Sequence, residues 1–87
     1  MGQYEKLIQR ILSGRQDKSI LFSEAVSLMQ KLGFSMRIKS SHHIFSQEGI
    51  VEIINLQPDG SKAKPYQVKQ IRDLMVKYQL EAEDEDE

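Results

Sequence analysis

The apolar pattern changes period at Gly33, and that change limits the fold more than any other feature of the chain. Before it, Ala25, Val26, Leu28, Met29 and Leu32 recur at helical spacing. After it, Phe34, Met36 and Ile38 alternate with Ser35, Arg37 and Lys39, the pattern of a half-buried strand. A sequence with both periods must join helices to a sheet. Gly33 suits the left-handed position that ends a helix, with Phe34 packing back on Met29. Ser23 is the expected N-cap of this helix, its hydroxyl accepting from a free amide of the first turn.

The flanking segments extend the pattern. In "YEKLIQRIL", Tyr4, Leu7, Ile8, Ile11 and Leu12 form one helical stripe, and "SGRQDKS" breaks it. "HHIFS" reads as a second strand and "IVEIINLQ", rich in β-branched residues, as a third. "KSS" and "QEG" are the turns between strands, and "PDGSKAK" reads as a loop. Pro65 fits the first turn of a last helix, where its missing N–H costs nothing. Val68, Ile71, Leu74, Met75 and Tyr78 give that helix its apolar side, with Lys69, Arg72, Asp73 and Lys77 pointing largely elsewhere. The predicted fold is α+β, in the order α-α-β-β-β-α. Short turns imply a three-stranded antiparallel meander with helices on one face and the other face open.

The 87 residues make one small domain, assigned to residues 1–80. No cysteine is present, which removes disulfides and thiolate zinc sites and suits a reducing, cytoplasmic setting. No run approaches the ~20 apolar residues of a membrane span. The N-terminus lacks the basic region and apolar core of a secretory signal. A net charge of −1 conceals a division: all 12 basic residues lie in residues 1–80 beside 7 acids, whereas residues 81–87 hold six acids and no base. A body of +5 suggests an anionic partner such as nucleic acid. The acidic run is expected to be disordered, since it repels itself and has nothing apolar to bury.

The only two histidines, His42 and His43, are adjacent. Neighbours along a strand point to opposite faces, so one ligand cannot meet both without a bulge. Phe45 is the larger apolar group, and placing it toward the helices puts His43 at the rim of the core and His42 on the open face. Ile44, which shares the face of His42, also favours burial. Neither cysteine nor a carboxylate at ligand spacing completes a metal site. A Ser-His nucleophile has no orienting acid. Two readings stay open: a structural role, and acid–base chemistry on a phosphodiester. Imidazole exchanges protons near neutral pH, and RNA carries its own nucleophile in the 2′-OH. Arg37 and Lys39 on the preceding strand, with Lys62 and Lys64 in the later loop, could balance charge on phosphorus.

From "LMQKLGF" through "SHHIF" to "PYQVKQIRDLM", about residues 22–80, the chain resembles the HicA toxins of bacterial toxin–antitoxin pairs. The shared pattern is a helix ending Leu-Gly-Phe, a basic strand, a His-His-Ile-Phe strand, another strand, a Lys-bearing loop and a last helix. The resemblance implies a fold similar to the double-stranded RNA-binding domain. It also implies an mRNA interferase, an endoribonuclease needing neither metal nor cofactor, with a HicB-type antitoxin as its protein partner. The family's catalytic histidine falls on His42. Ser40 and Ser41 would shape the turn before it, and Arg37, Lys39, Lys62 and Lys64 would hold the RNA backbone. The chain departs from the pattern in three places. Ser40 stands at the motif's glycine, no histidine follows the third strand, and the first helix and acidic tail lie outside the usual short toxin. If the turn needs a positive φ, Ser40 carries a penalty on the order of 1 kcal/mol. Two alternatives accompany this reading: an RNA-binding module without cleavage, and a protein-interaction domain of the same fold.

Overall fold

Helix α1 (Glu5–Ser13) forms as its stripe predicts, burying Leu7 and Ile11 while Leu12, at the margin of the stripe, stays 45% exposed. A computed structural model describes residues 4–82. A single 3-10 turn (Asp17–Ser19) follows, and Ile20 is fully buried.

Helix α2 (Phe22–Lys31) begins earlier than the sequence suggested. Ser23 lies inside it, not at its cap. Leu21 occupies the cap position, and its N–H donates to Glu24 Oε1 at 2.9 Å. A glutamate three residues into the helix can satisfy that amide, so no hydroxyl is needed at the cap. At the other end, the Gly33 N–H donates to Gln30 O at 3.0 Å and the Phe34 N–H to Met29 O at 3.1 Å. With Gly33 at φ 100°, this is the paired closure expected of a helix ended by glycine.

Strands β1 (Ser35–Lys39), β2 (His42–Gln47) and β3 (Ile50–Leu56) form an antiparallel sheet in that order, with β2 central. Met36 and Ile54 flank Phe45, and Ile38 and Leu56 flank His43. The register slips between Phe45 and Gln47, so β3 bulges over Val51–Ile53. Phe45 and Leu56 are fully buried against α1, α2 and the last helix. Ile38 was expected inside, yet it is 59% exposed near the end of edge strand β1.

The "PDGSKAK" segment is more than a loop. Pro58–Asp59 (β4) pairs with Lys62–Ala63 (β5) in a small hairpin. It is docked at the entry to α2, where the Phe22 N–H donates to Ser61 O and the Ala63 N–H to Ile20 O, both at 2.9 Å. Helix α3 (Pro65–Tyr78) opens on Pro65 and buries Val68, Ile71, Leu74 and Met75 as predicted, together with Gln67 at 2% exposure. The Arg72 guanidinium spans from α3 to the end of α1, donating to Ile11 O at 3.1 Å and to Asp17 at 2.9 and 3.3 Å.

The architecture is α+β: three helices, a three-stranded antiparallel sheet and a separate two-stranded hairpin. The helices cover one sheet face. Leu80 and Ala82 pack partly buried against the core. The rest of the acidic run, residues 83–87, lies outside the described residues. Among the described residues no helix is long and apolar enough to cross a membrane.

Candidate functional site

The uncovered sheet face is ordered in rows by the strand register. At one end Lys39 lies opposite His42, and Gln57 follows directly after β3 on the far side. The next outward row holds Arg37, Ile44 and Asn55. Beyond it, Val51 is 87% exposed and Ile53 64% exposed. The outward positions of β1–β3 therefore grade from basic and polar to apolar, and none of them carries a carboxylate.

His42 stands on the central strand, facing outward and partly exposed. Its two ring nitrogens meet different amides: Nδ1 lies 3.1 Å from Asn55 Oδ1, and Nε2 lies 3.4 Å from Gln57 Nε2. An amide oxygen can only accept and an amide nitrogen can only donate. With the two side-chain amides oriented as they are here, the proton falls on Nδ1 and the Nε2 lone pair faces a weak, displaceable donor. A base held by a third group that fixes its tautomer is the arrangement that nucleophile-activating histidines require. Here the orienting group is a neutral asparagine, where the sequence offered no acid.

Asn55 and Gln57 are themselves held from behind. Gln67, buried in the first turn of α3, donates its Nε2–H to Asn55 O at 2.9 Å, and its Oε1 accepts from the Gln57 N–H at 3.2 Å. The Tyr66 hydroxyl lies 3.5 Å from the same Nε2, and Tyr66 is 58% exposed.

His43 faces the opposite way. Its ring meets Phe22 edge-on at 4.9 Å and 81°, and its buried Nδ1 has no hydrogen-bond partner among the described residues. The two histidines therefore divide between the faces as the neighbouring Phe45 indicated.

The remaining predicted residues are only partly brought together. Arg37 and Lys39 share the face of His42 and are exposed. Ser40 and Ser41 form the two-residue turn into β2, and Ser40 adopts φ 60°, the left-handed conformation in which glycine would be unstrained. Lys62 and Lys64 are not on the sheet. Lys62 lies on β5, bridged to Leu21, and Lys64 caps α3, its carbonyl accepting from the Gln67 and Val68 amides. Both belong to the chain segment that leaves the sheet at Gln57, beyond the face itself.

The strongest electrostatic perturbation is elsewhere. Glu52, near the far end of β3, accepts from Lys77 Nζ at 2.7 Å and from the Tyr78 hydroxyl at 2.6 Å. These two bonds, Lys77 first, lower its pKa from 4.5 to about 2. The same carboxylate raises the pKa of Lys77. This pair fastens α3 to β3 and does not touch His42.

Sequence reasoning missed Asn55, Gln57, Tyr66 and Gln67. Two signals were present. Asn55 and Gln57 continue the outward alternation set by Val51 and Ile53. Gln67 stands four residues before Ile71, on the apolar stripe of its helix, where an amide needs partners. No family model matches the chain, nor does any curated protein or solved structure in the comparisons made.

Proposed function

We propose that the protein is a HicA-type endoribonuclease toxin with a fold like that of the double-stranded RNA-binding domain, acting on mRNA and restrained by a HicB-type antitoxin. The observation that carries this reading is the placement of His42. It faces outward on the central strand of an uncovered sheet, with Lys39 directly opposite and a side-chain amide at each ring nitrogen. The chemistry asks for little else. Nε2 takes the proton from a ribose 2′-OH, and the 2′-oxygen attacks the adjacent phosphorus. The bond from phosphorus to the 5′-oxygen breaks, and that oxygen leaves with a proton from water. The products are a 2′,3′-cyclic phosphate and a 5′-hydroxyl. Lys39 and Arg37 offset the charge that builds on the phosphoryl oxygens. The internal 2′-OH supplies the nucleophile, so the reaction needs no metal-bound hydroxide.

Ser41 and the strained Ser40 set where β2 begins, and so where His42 sits. Lys62 and Lys64 extend the basic path past the end of the sheet, where a longer RNA backbone would run. The test is induction in a bacterial host: wild-type protein arrests growth and His42→Ala does not. Equal arrest by both removes His42 from the mechanism.

One observation favours a second reading, that of a protein-docking module. Val51 and Ile53 are exposed on the same face as His42 and add apolar area that a polyanion does not use. If the face serves only a protein, binding is insensitive to salt and RNA is neither bound nor cut. If RNA is bound and not cut, the protein is the inactive RNA-binding form of the same fold.

A further inference from the structure

We infer that Gln67 is a positioning residue, which fixes the tautomer of His42 by clamping the strand end that carries Asn55 and Gln57. The inference rests on the reading of His42 as the base. What it predicts can nevertheless be measured without RNA.

A glutamine at 2% exposure on the apolar side of a helix must satisfy both ends of its amide or weaken the fold. Gln67 spends both ends on β3 and the residue after it. Its Nε2 donates to Asn55 O at 2.9 Å, and its Oε1 accepts from the Gln57 N–H at 3.2 Å. Because these partners are backbone groups, the orientation of the Gln67 amide is unambiguous. Residues 55 and 57 are where the sheet ends and the chain turns away into the β4–β5 hairpin, so a strand there has no neighbour beyond β2 to hold it. Gln67 replaces that neighbour.

The consequence appears on the other face. The side chains of Asn55 and Gln57 point outward to the two nitrogens of His42, at 3.1 and 3.4 Å. The acceptor lies at Nδ1 and the donor at Nε2. A free imidazole in water favours the proton on Nε2, which would block proton abstraction from that atom. The clamp reverses this preference and leaves Nε2 unprotonated, with only the long contact to Gln57 before it. Loosening the clamp lets the strand end move and returns His42 to the tautomer of a free ring. The rate then falls with the fraction of protein holding the competent tautomer, about fivefold if that fraction drops to one fifth.

The experiment is nitrogen-15 NMR of the histidine rings of the full chain, without RNA, at a pH where His42 is neutral. Wild-type protein is expected to show a protonated Nδ1 and a bare Nε2 at His42. Asn55→Ala, an exposed substitution, should shift His42 toward protonated Nε2, and Asn55→Asp should retain the wild-type pattern, since a carboxylate also accepts. Gln67→Met, close in shape but without the amide, should shift the pattern as Asn55→Ala does and lower kcat about fivefold with little change in KM. A wild-type His42 already protonated on Nε2 overturns the inference, as does an unchanged pattern in Gln67→Met. Should Gln67→Met fail to fold, the wild-type Gln57 amide decides the matter. Slow hydrogen exchange supports the clamp, and exchange at the rate of an open chain overturns it. A clamp proven in a protein that cuts no RNA would refute the ribonuclease reading and leave the geometry standing.

Discussion

Replacing Ser40 with glycine should make this protein more stable, and the size of the gain can be worked from the turn. Ser40 sits at φ 60° with its side chain exposed, so the substitution removes no core contact. An L-residue held in the left-handed region costs roughly 1–2 kcal/mol. Glycine does not carry that strain, but it gives back roughly 0.5–1 kcal/mol because the unfolded chain gains freedom. The difference spans about 0–1.5 kcal/mol, and the net expectation for Ser40→Gly is a gain near its middle, about 0.5–1 kcal/mol. For a domain of this size that is a rise of about 2–8 °C in Tm. Ser40→Val should move the other way, since a β-branched side chain is the worst fit to positive φ. Urea titration followed by circular dichroism measures all three proteins, and the slope m should stay constant because the surface exposed on unfolding does not change. A glycine variant less stable than wild type, or a valine variant equal to it, would refute the left-handed turn and the strain assigned to it.

Other expectations follow from the same geometry. His43→Ala should lower stability by about 1–2 kcal/mol through loss of the edge contact with Phe22, and should leave RNA cleavage intact; a stable but inactive variant would show that the two faces had been interchanged. Glu52 has its pKa lowered from 4.5 to about 2 in the folded protein, so its contribution to stability is complete above about pH 4.5 and lost as pH falls toward 2. Glu52→Gln should flatten that part of the acid-unfolding profile, and an unaltered profile would contradict the bond to Lys77. Arg37→Ala and Lys39→Ala should each reduce the salt slope of RNA binding by about 0.7, as expected for one phosphate contact on a single strand; titrations at several salt concentrations check this.

Much of the fold was legible because period and punctuation agreed. Gly33 ended a helix where the period changed, Pro65 opened the last helix, and the alternation in β1 and β2 placed His42 and His43 on their correct faces. The misreadings came where tertiary partners replaced local signals. Ser23 looked like a cap, but Glu24 satisfies the relevant amide from inside the helix. "PDGSKAK" carried turn residues, yet Ile20 and Phe22 recruit it into a hairpin. Ile38 kept the alternation of a buried residue at the exposed end of an edge strand. For the site, His42 was visible as a motif and the amides beside it were not. Asn55 is 13 residues from His42 along the chain, and only the β2–β3 register brings them together. Lys62 and Lys64 were grouped with the basic strand by charge and by a lysine-bearing loop, whereas Lys62 lies on the hairpin and Lys64 at the start of α3, off the three-stranded sheet.

The central claim is that His42 takes a proton from RNA, and the most direct test is a cleavage assay with purified protein that also identifies the new chain ends. Wild-type protein is expected to leave 2′,3′-cyclic phosphate and 5′-hydroxyl ends, with His42→Ala folded like wild type and slower by about 10²–10⁴-fold, the usual contribution of a general base. Undiminished cleavage by folded His42→Ala would contradict the account.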